Sequence, residues 1–174
     1  MCVHNFDWEN PKHVYALMNH YLPLKEQLRD KLDTYGRCLI WDLERYVEMT
    51  PLTPIRRAIV DKVMQQTPRE DIRDQLMQEF GFTYNTFYLS TIIANDIPKE
   101  IARTAAKHRI LCETPVNQRK ACKRCGRILP RHPLFFTKNS GRKDGFQSRC
   151  RECERQLRIE KGEVLRIDGR QKTT

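Results

Sequence analysis

Two Cys-x-x-Cys pairs constrain this chain more than any other feature. The first pair, in "CKRCG", is Cys122 and Cys125, and the second, in "CREC", is Cys150 and Cys153; 24 residues separate them. Zn²⁺ prefers a tetrahedron of ligands and thiolate sulfurs suit it, and two cysteines separated by two residues can reach the same ion. The spacing therefore predicts one structural zinc ion held by all four side chains. Disulfides or an iron–sulfur cluster are the alternatives.

Local signals around the pairs predict a knuckle, a hairpin and a helix. Gly126 follows the first pair, where a tight turn needs positive φ, and Lys143-Asp144-Gly145 is typical of a hairpin turn. Ser148 is expected to cap a helix that carries the second pair on its first turn. A unit of this size buries too little apolar surface to fold unaided, so the metal would stabilise it. The expected core under the metal consists of Phe135, Phe136 and Phe146.

The net charge of +10 is concentrated in the last third of the chain. Residues 117–174 contain 17 Lys or Arg against 6 Asp or Glu, whereas residues 1–116 are close to neutral. Such a block attracts polyanions, of which nucleic acid is the commonest; a solubilising basic tail is the alternative. Cations around the cysteines would contact phosphates, which gives affinity but little sequence information. These candidates are Arg124, Arg127, Arg131, Arg142, Lys143, Arg149, Arg151, Arg155 and Arg158.

The first 112 residues are predicted to form a helical domain. Asn10-Pro11 is a typical helix start, Pro23 is expected to open a second helix, and Gly36 is expected to end it. Apolar residues recur at helical spacing throughout, which a plain helical core explains. The remaining boundaries are a linker at 113–118, a zinc-binding module at 119–162 and a basic flexible tail at 163–174.

The middle of the chain has the outline of a helix-turn-helix over about residues 53–96. Thr53-Pro54 and Thr67-Pro68 each predict a helix that begins with a cap followed by proline. Gly81 would end the second of these helices, and Thr83 would cap a third that runs to about residue 95. Proline at position 98 would then open a further helix.

The stretch "LTPIRRAIV … PREDIRDQLMQEFGFTYNTFYLSTII" resembles the fourth region of bacterial sigma factors and related regulators. In that family the last helix enters the major groove. The resemblance implies that Tyr84, Asn85, Tyr88 and Thr91 face the bases or phosphates. Because this helix contains no Arg or Lys, a trihelical protein-binding unit is the alternative.

The stretch "CKRCG … FFTKNSGRKDGFQSRCREC" resembles the small zinc domains of phage-encoded proteins, including those of phage recombination endonucleases and those beside HNH nuclease domains. The resemblance implies a treble-clef fold with a structural metal. Catalysis in such nucleases needs further His, Asp or Asn residues that hold a second metal. Here His132 and Asp144 are the only plausible remnants, so no enzymatic activity is expected, with an HNH-like nuclease remnant as the alternative.

These features together predict a mainly α protein with a small α+β treble-clef module at its C-terminus. The expected function is that of a phage-type, zinc-containing protein that binds double-stranded DNA, as a transcription regulator or a DNA-recognition factor. The alternative is an adaptor that binds host RNA polymerase or a phage terminase. No small-molecule substrate is expected. No membrane association is expected either, because no apolar run approaches about 18 residues. The start of the chain is unlike a secretion signal, and seven cysteines are an odd number, so a cytoplasmic location is expected, in the host cell if the chain is phage-encoded.

Overall fold

The computed structural model describes residues 6–29, 33–81 and 84–161, together with two short strands near the C-terminus. The chain divides into two compact units, residues 1–106 and 107–174. The described part is mainly α-helical, and its strands lie in the second unit. None of the helices in these described ranges combines the length and apolar character needed to cross a membrane.

The first unit is built from helices whose apolar stripes meet in one core. The helices are α1 (Pro11–Asn19), α2 (Tyr21–Gln27), α3 (Thr34–Met49), α4 (Pro54–Met64), α5 (Arg69–Phe80), α6 (Thr86–Thr91), a π-helical turn (Ile92–Asp96) and α7 (Ile97–Glu113). Burial of the stripes removes apolar surface from water, which is the main force that holds such a unit together. The largest fully buried side chains of this core are Val14, Met18, Leu43, Ile59, Ile72, Leu76, Leu89, Ile92, Ile93, Ile97 and Ile101.

Two of the predicted helix starts are confirmed by side-chain caps. The Asn10 side chain accepts a hydrogen bond from the Lys12 N–H at 3.0 Å, and the Thr53 hydroxyl accepts one from the Arg56 N–H at 3.4 Å. In both cases proline occupies the first turn, where its missing N–H costs nothing. Helix α5 differs, because no side chain caps it and proline itself occupies the cap position. The predicted cap by Thr67 was therefore wrong.

The prediction that Gly36 ends the second helix was wrong. This glycine lies in the first turn of α3. The Asp33 side chain caps α3 by accepting hydrogen bonds from the N–H groups of Tyr35 and Gly36, at 3.1 and 3.2 Å. A Cβ atom at position 36 would lie 2.8 Å from both terminal carbons of Leu28. Glycine therefore allows a close approach here rather than a chain reversal. Pro23 likewise lies inside α2 instead of opening it.

The turn between α5 and α6 begins at Gly81, the residue predicted to end the first of these helices. Gly81 ends α5 with a left-handed φ of 61°, as expected. Thr83, the predicted cap of the next helix, lies outside the described residues. Asn85 is the cap of α6, and its side chain accepts a hydrogen bond from the Tyr88 N–H at 2.7 Å.

The chain stays helical from α6 to the end of α7, so the predicted break before Pro98 was wrong. Proline lacks an N–H and its ring crowds the carbonyl of the preceding turn, which normally interrupts an α-helix. Here the π-helical turn at Ile92–Asp96 comes directly before α7 and widens the backbone at that point. The wider turn accommodates the proline inside a continuous helical segment.

In its described residues, the second unit contains the end of α7, short antiparallel strand pairs and a further helix. Its elements are a 3₁₀ turn (Val116–Gln118), β1 (Arg119–Ala121), β2 (Ile128–Pro130), β3 (Phe136–Lys138), β4 (Phe146–Cys150), α8 (Arg151–Glu160), β5 (Arg166–Ile167) and β6 (Arg170–Gln171). Strand β1 pairs with β2, β3 with β4, and β5 with β6. Of the predicted tail at 163–174, only β5 and β6 are described, and the predicted linker at 113–118 contains the end of α7 and the 3₁₀ turn.

The predicted hairpin and its turn are present between β3 and β4. Gly145 adopts a φ of 72°, as the turn requires. Phe136 is fully buried, and Phe135 and Phe146 pack beside it, so the predicted core is confirmed. Ser148 lies in β4 and does not cap α8, so that prediction was wrong; Cys150 occupies the cap position.

The two faces of α3 give a direct test of this core. Leu43 is fully buried, whereas Trp41 on the same helix is 66% exposed. We expect Leu43→Ala to lower the free energy of unfolding by about 2–5 kcal/mol, because it leaves a cavity. Trp41→Ala should change it by less than about 0.5 kcal/mol. Urea unfolding followed by far-UV circular dichroism measures both, and equal losses would contradict the helix orientation.

Candidate metal centre and basic surface

Four cysteine sulfurs converge in the second unit. The sulfurs of Cys122, Cys125, Cys150 and Cys153 all lie within 4.8 Å of one another, and none of these residues forms a disulfide. The Cys122 and Cys153 sulfurs are 3.8 Å apart. A tetrahedral ion with metal–sulfur bonds of about 2.3 Å places its ligands about 3.8 Å apart. The four side chains thus form a site that could hold one metal ion.

The backbone positions the two pairs at the ends of separate strands. The Cys122 N–H donates to the Arg127 carbonyl and the Gly126 N–H donates to the Cys122 carbonyl, both at 2.9 Å, which closes the knuckle. Gly126 has a φ of 71°, as the sequence predicted for this turn. Cys150 ends β4 and is the cap residue of α8, so Cys153 lies one turn into the helix. Both sulfurs of the second pair therefore face the knuckle.

The electrostatics of the four thiols favour a cation among them. Burial opposes ionisation of Cys122, but backbone N–H donors, led by that of Cys125, outweigh it and lower its pKa to about 6. One further donor is the Cys150 N–H, 3.3 Å from the Cys122 sulfur. Burial and the neighbouring thiols raise the pKa of Cys153 to about 12. The thiols cannot all ionise without a compensating charge, which a bound metal ion supplies.

Arg127, a predicted phosphate contact, lies against the sulfurs. Its guanidinium group is 3.4 Å from the Cys125 sulfur and 3.9 Å from the Cys150 sulfur, and it forms an ion pair with Glu152. The hydrogen bond from Arg127 lowers the pKa of the Cys125 thiol. Contact with this thiol and with Glu152 raises the pKa of the guanidinium above its usual range. This cation therefore supports the thiolates that would bind a metal.

Two other predicted cations also make internal contacts. The Arg124 side chain donates to the Cys153 carbonyl at 3.2 Å and to both carboxylate oxygens of Glu160, at 2.6 and 2.9 Å, which ties the knuckle to α8. The Arg151 side chain donates to the Pro133 carbonyl at 2.5 Å. These arginines brace the unit whether or not they also meet a ligand.

The other predicted cations are exposed at the surface of the second unit. Within the described part of the chain, their side chains make no hydrogen bond or ion pair. They are therefore available to an anionic partner. This set consists of Arg131, Arg142, Lys143, Arg149, Arg155 and Arg158.

Three of the exposed cations line a concavity of about 630 Å³ that the sequence did not indicate. Its lining also includes Lys120 and Lys123, neither of which was predicted to bind nucleic acid. The full lining is Lys120, Ala121, Lys123, Arg131, Arg142, Lys143, Asp144, Phe146 and Ser148. These residues come from both hairpins, so only the folded chain brings them together.

Lys120, in the lining of this concavity, connects the two hairpins. Its ammonium group forms an ion pair with Asp144 and donates to the carbonyls of Phe146 and Gln147, at 3.3 and 3.1 Å. The hydrogen bond from Lys120 lowers the pKa of the Asp144 carboxyl. Because 24 positions separate the two residues, no local sequence signal indicated the pair. Asp144 is thus held in a structural contact.

The candidates for base contacts in the helical unit have different environments. Tyr84 is only 4% exposed and packs edge-on against Tyr88 in the core, so it does not face outward as the resemblance implied. Asn85 is exposed but caps α6, and the Thr91 hydroxyl donates to the Phe87 carbonyl at 3.1 Å. Phe87, which the sequence did not single out, is 83% exposed.

The predicted nuclease remnants are not brought into a ligand cluster. The His132 ring accepts a hydrogen bond from the Leu134 N–H at 3.2 Å, and Asp144 is paired with Lys120. In the described ranges, the four cysteines are the one group of three or more residues that could hold a metal.

Comparison of the chain with protein-family models, curated proteins and solved structures finds no match. The functional interpretation below therefore depends on the residues of this chain and their geometry.

The contact between Arg127 and the sulfurs can be tested through metal affinity. We expect Arg127→Gln to weaken metal binding by about 10–100-fold, because residues that support ligands contribute to affinity on that scale. Arg149→Gln removes the same charge from an exposed residue of β4 and should leave metal affinity nearly unchanged. Competition with a chromophoric chelator measures both affinities. Equal behaviour of the two variants would show that Arg127 acts only through long-range charge.

Proposed function

We propose that this chain is a zinc-braced protein that binds double-stranded DNA through its basic second unit. The observation that carries the proposal is the coincidence of a four-sulfur site with exposed, unengaged cations in the same small unit. A rigid scaffold that holds several cations in fixed positions suits the phosphate backbone, because each phosphate contact releases counterions.

Zinc is the metal that these ligands suit best. A closed set of four cysteine sulfurs leaves no open position for a substrate, which is typical of structural zinc sites. Bound zinc would neutralise thiolates and hold the knuckle to the start of α8. The apolar cluster under the sulfurs is small, so the metal would contribute much of the folding free energy of the unit. We assign it no catalytic role.

The helical unit would supply recognition beyond the phosphates. Tyr88 and Thr91 lie on α6 and Asn85 is its cap; this helix follows α5 and the left-handed turn at Gly81. Amide and hydroxyl groups can contact base edges or phosphates. This arrangement suits a transcription regulator or DNA-recognition factor, as the resemblance to sigma region four implies, and the resemblance of the zinc module adds the expectation of a phage-type protein.

Loss of the metal should abolish DNA binding. We expect Cys122→Ser to lower the zinc content from one ion per chain towards zero and to unfold the second unit. In the unaltered protein, DNA affinity should weaken steeply as the salt concentration rises. In Cys122→Ser, DNA affinity should be lost together with the zinc. Cys112→Ser changes an exposed cysteine outside the cluster and should preserve both properties. Elemental analysis and fluorescence anisotropy with a DNA duplex measure the two. DNA affinity that ignores both salt and Cys122→Ser would refute the proposal.

A second candidate function, a protein adaptor, is favoured by Phe87. This aromatic side chain is 83% exposed on α6, a helix with no Arg or Lys. Exposed aromatic residues are common anchors of protein interfaces. The expected partner is host RNA polymerase or a phage terminase.

The adaptor role predicts that Phe87→Ala weakens partner binding but not DNA binding. Purified host RNA polymerase and a phage terminase serve as the partners, each tested by co-sedimentation after nuclease treatment. Trp41→Ala removes another exposed aromatic residue and is the matched control. If nuclease treatment removes the partner and Phe87→Ala has no effect on partner binding, DNA binding is favoured as the sole function.

A further inference from the structure

We propose that the concavity between the two hairpins of the second unit binds consecutive phosphates of one nucleic-acid strand, with Lys123, Arg131, Arg142 and Lys143 as the phosphate contacts. This inference rests on the proposed DNA-binding function and locates it. It also adds Lys123 to the contacts and assigns Arg124 and Arg127 to the metal site instead.

The concavity joins cations from three separate segments of the chain. Lys123 lies in the knuckle, Arg131 follows β2, and Arg142 and Lys143 lie in the turn between β3 and β4. The Lys123 N–H donates to the Ser148 carbonyl at 2.9 Å, and the Arg131 N–H donates to the Gln118 carbonyl at 3.1 Å. The backbone at these two cations is therefore fixed before any ligand arrives, which lowers the entropy cost of binding.

The turn that carries Arg142 and Lys143 is also held in place. The Arg142 N–H donates to the Asn139 carbonyl at 3.1 Å, and the Gly145 N–H donates to the Arg142 carbonyl at 2.9 Å. Asp144, between these cations and Gly145, is anchored by Lys120. Lys120 thus acts as a positioning residue for the turn and neutralises the one carboxylate in the lining.

The charge of the concavity distinguishes it from the rest of the unit. Five cations and one carboxylate line it. Helix α8, by contrast, carries three arginines and three glutamates, so its net charge is zero. A concave, single-sign surface also focuses the field more than a convex helix does. The lining of the concavity should therefore attract a polyanion more strongly than α8 does.

The size and composition of the concavity fit a stretch of backbone better than a single phosphate ion. Its volume of about 630 Å³ exceeds the space of one phosphate, and one such ion, with a charge of about −2, would leave about two of the four cations besides Lys120 uncompensated. Consecutive phosphodiesters supply several charges at a fixed spacing. The half-buried Ser148, which carries a hydroxyl, and the apolar Ala121 and Phe146 in the lining can meet the sugars between them.

Salt dependence of DNA binding tests the assignment. We compare Arg142→Gln/Lys143→Gln with Arg155→Gln/Arg158→Gln in the full-length, zinc-loaded protein, since each double variant removes two exposed cations. Anisotropy with a labelled duplex of mixed sequence gives the association constant at several salt concentrations. The turn variant should reduce the slope of log K against log salt by about 2, because each lost phosphate contact contributes about 0.9. The α8 variant should reduce it by less than half as much. Unchanged zinc content excludes unfolding as the cause.

Each outcome has a separate meaning. A larger loss in the turn variant supports the concavity as the phosphate site. Equal losses, or a larger loss in the α8 variant, overturn this assignment while DNA binding itself survives. Absence of salt-dependent binding in the unaltered protein overturns the proposed function and this inference together. Inorganic phosphate at constant ionic strength should not displace the duplex; if it does, the concavity is a small-anion site and the assignment to a nucleic-acid strand fails.

Discussion

The second unit brings four thiol groups within 4.8 Å of one another over an apolar cluster. Among the residues that the structure describes there, Phe136 is the only large side chain that is fully buried. Such a cluster contributes little hydrophobic stabilisation, while thiolates at this spacing repel one another. A bound cation would reverse the sign of the interaction and tie the knuckle to α8. The positions of the cations on this part of the unit would then depend in part on that link.

The cations of this unit fall into two groups that the sequence could not separate. Arg124 and Arg127 form ion pairs with glutamates of α8, and Lys120 pairs with Asp144. These contacts connect residues 24 to 36 positions apart. In the described ranges, no hydrogen bond or ion pair engages the side chains of the exposed cations Arg131, Arg142, Lys143, Arg149, Arg155 and Arg158, which are available to an external anion. Cations that look alike in the sequence thus have two different roles in the fold: some form internal ion pairs, and others are available to a partner.

Local signals in the sequence predicted the parts of the fold that depend on a few adjacent residues. The spacing of the cysteines, the left-handed turns at Gly126 and Gly145, and the cap at Asn10 are of this kind, because each follows from the backbone geometry of one turn. The role of Gly36 was misinterpreted, because glycine is needed there for the close approach of the Leu28 side chain, which no neighbouring residue in the sequence indicates. The concavity was not predicted, since it is formed by segments whose approach is fixed only by strand pairing.

The helical unit poses a different problem, because its outline predicts a DNA-binding motif while its surface lacks the charge for one. Asn85 is largely engaged as a cap, Tyr84 is buried, and α6 carries no Arg or Lys. Side chains of this type can discriminate between bases but contribute little of the electrostatic affinity that holds a protein on DNA. If the chain binds DNA, most of the affinity must therefore come from the second unit. The first unit can then add sequence preference or bind a protein through Phe87, and either role is compatible with an uncharged helix.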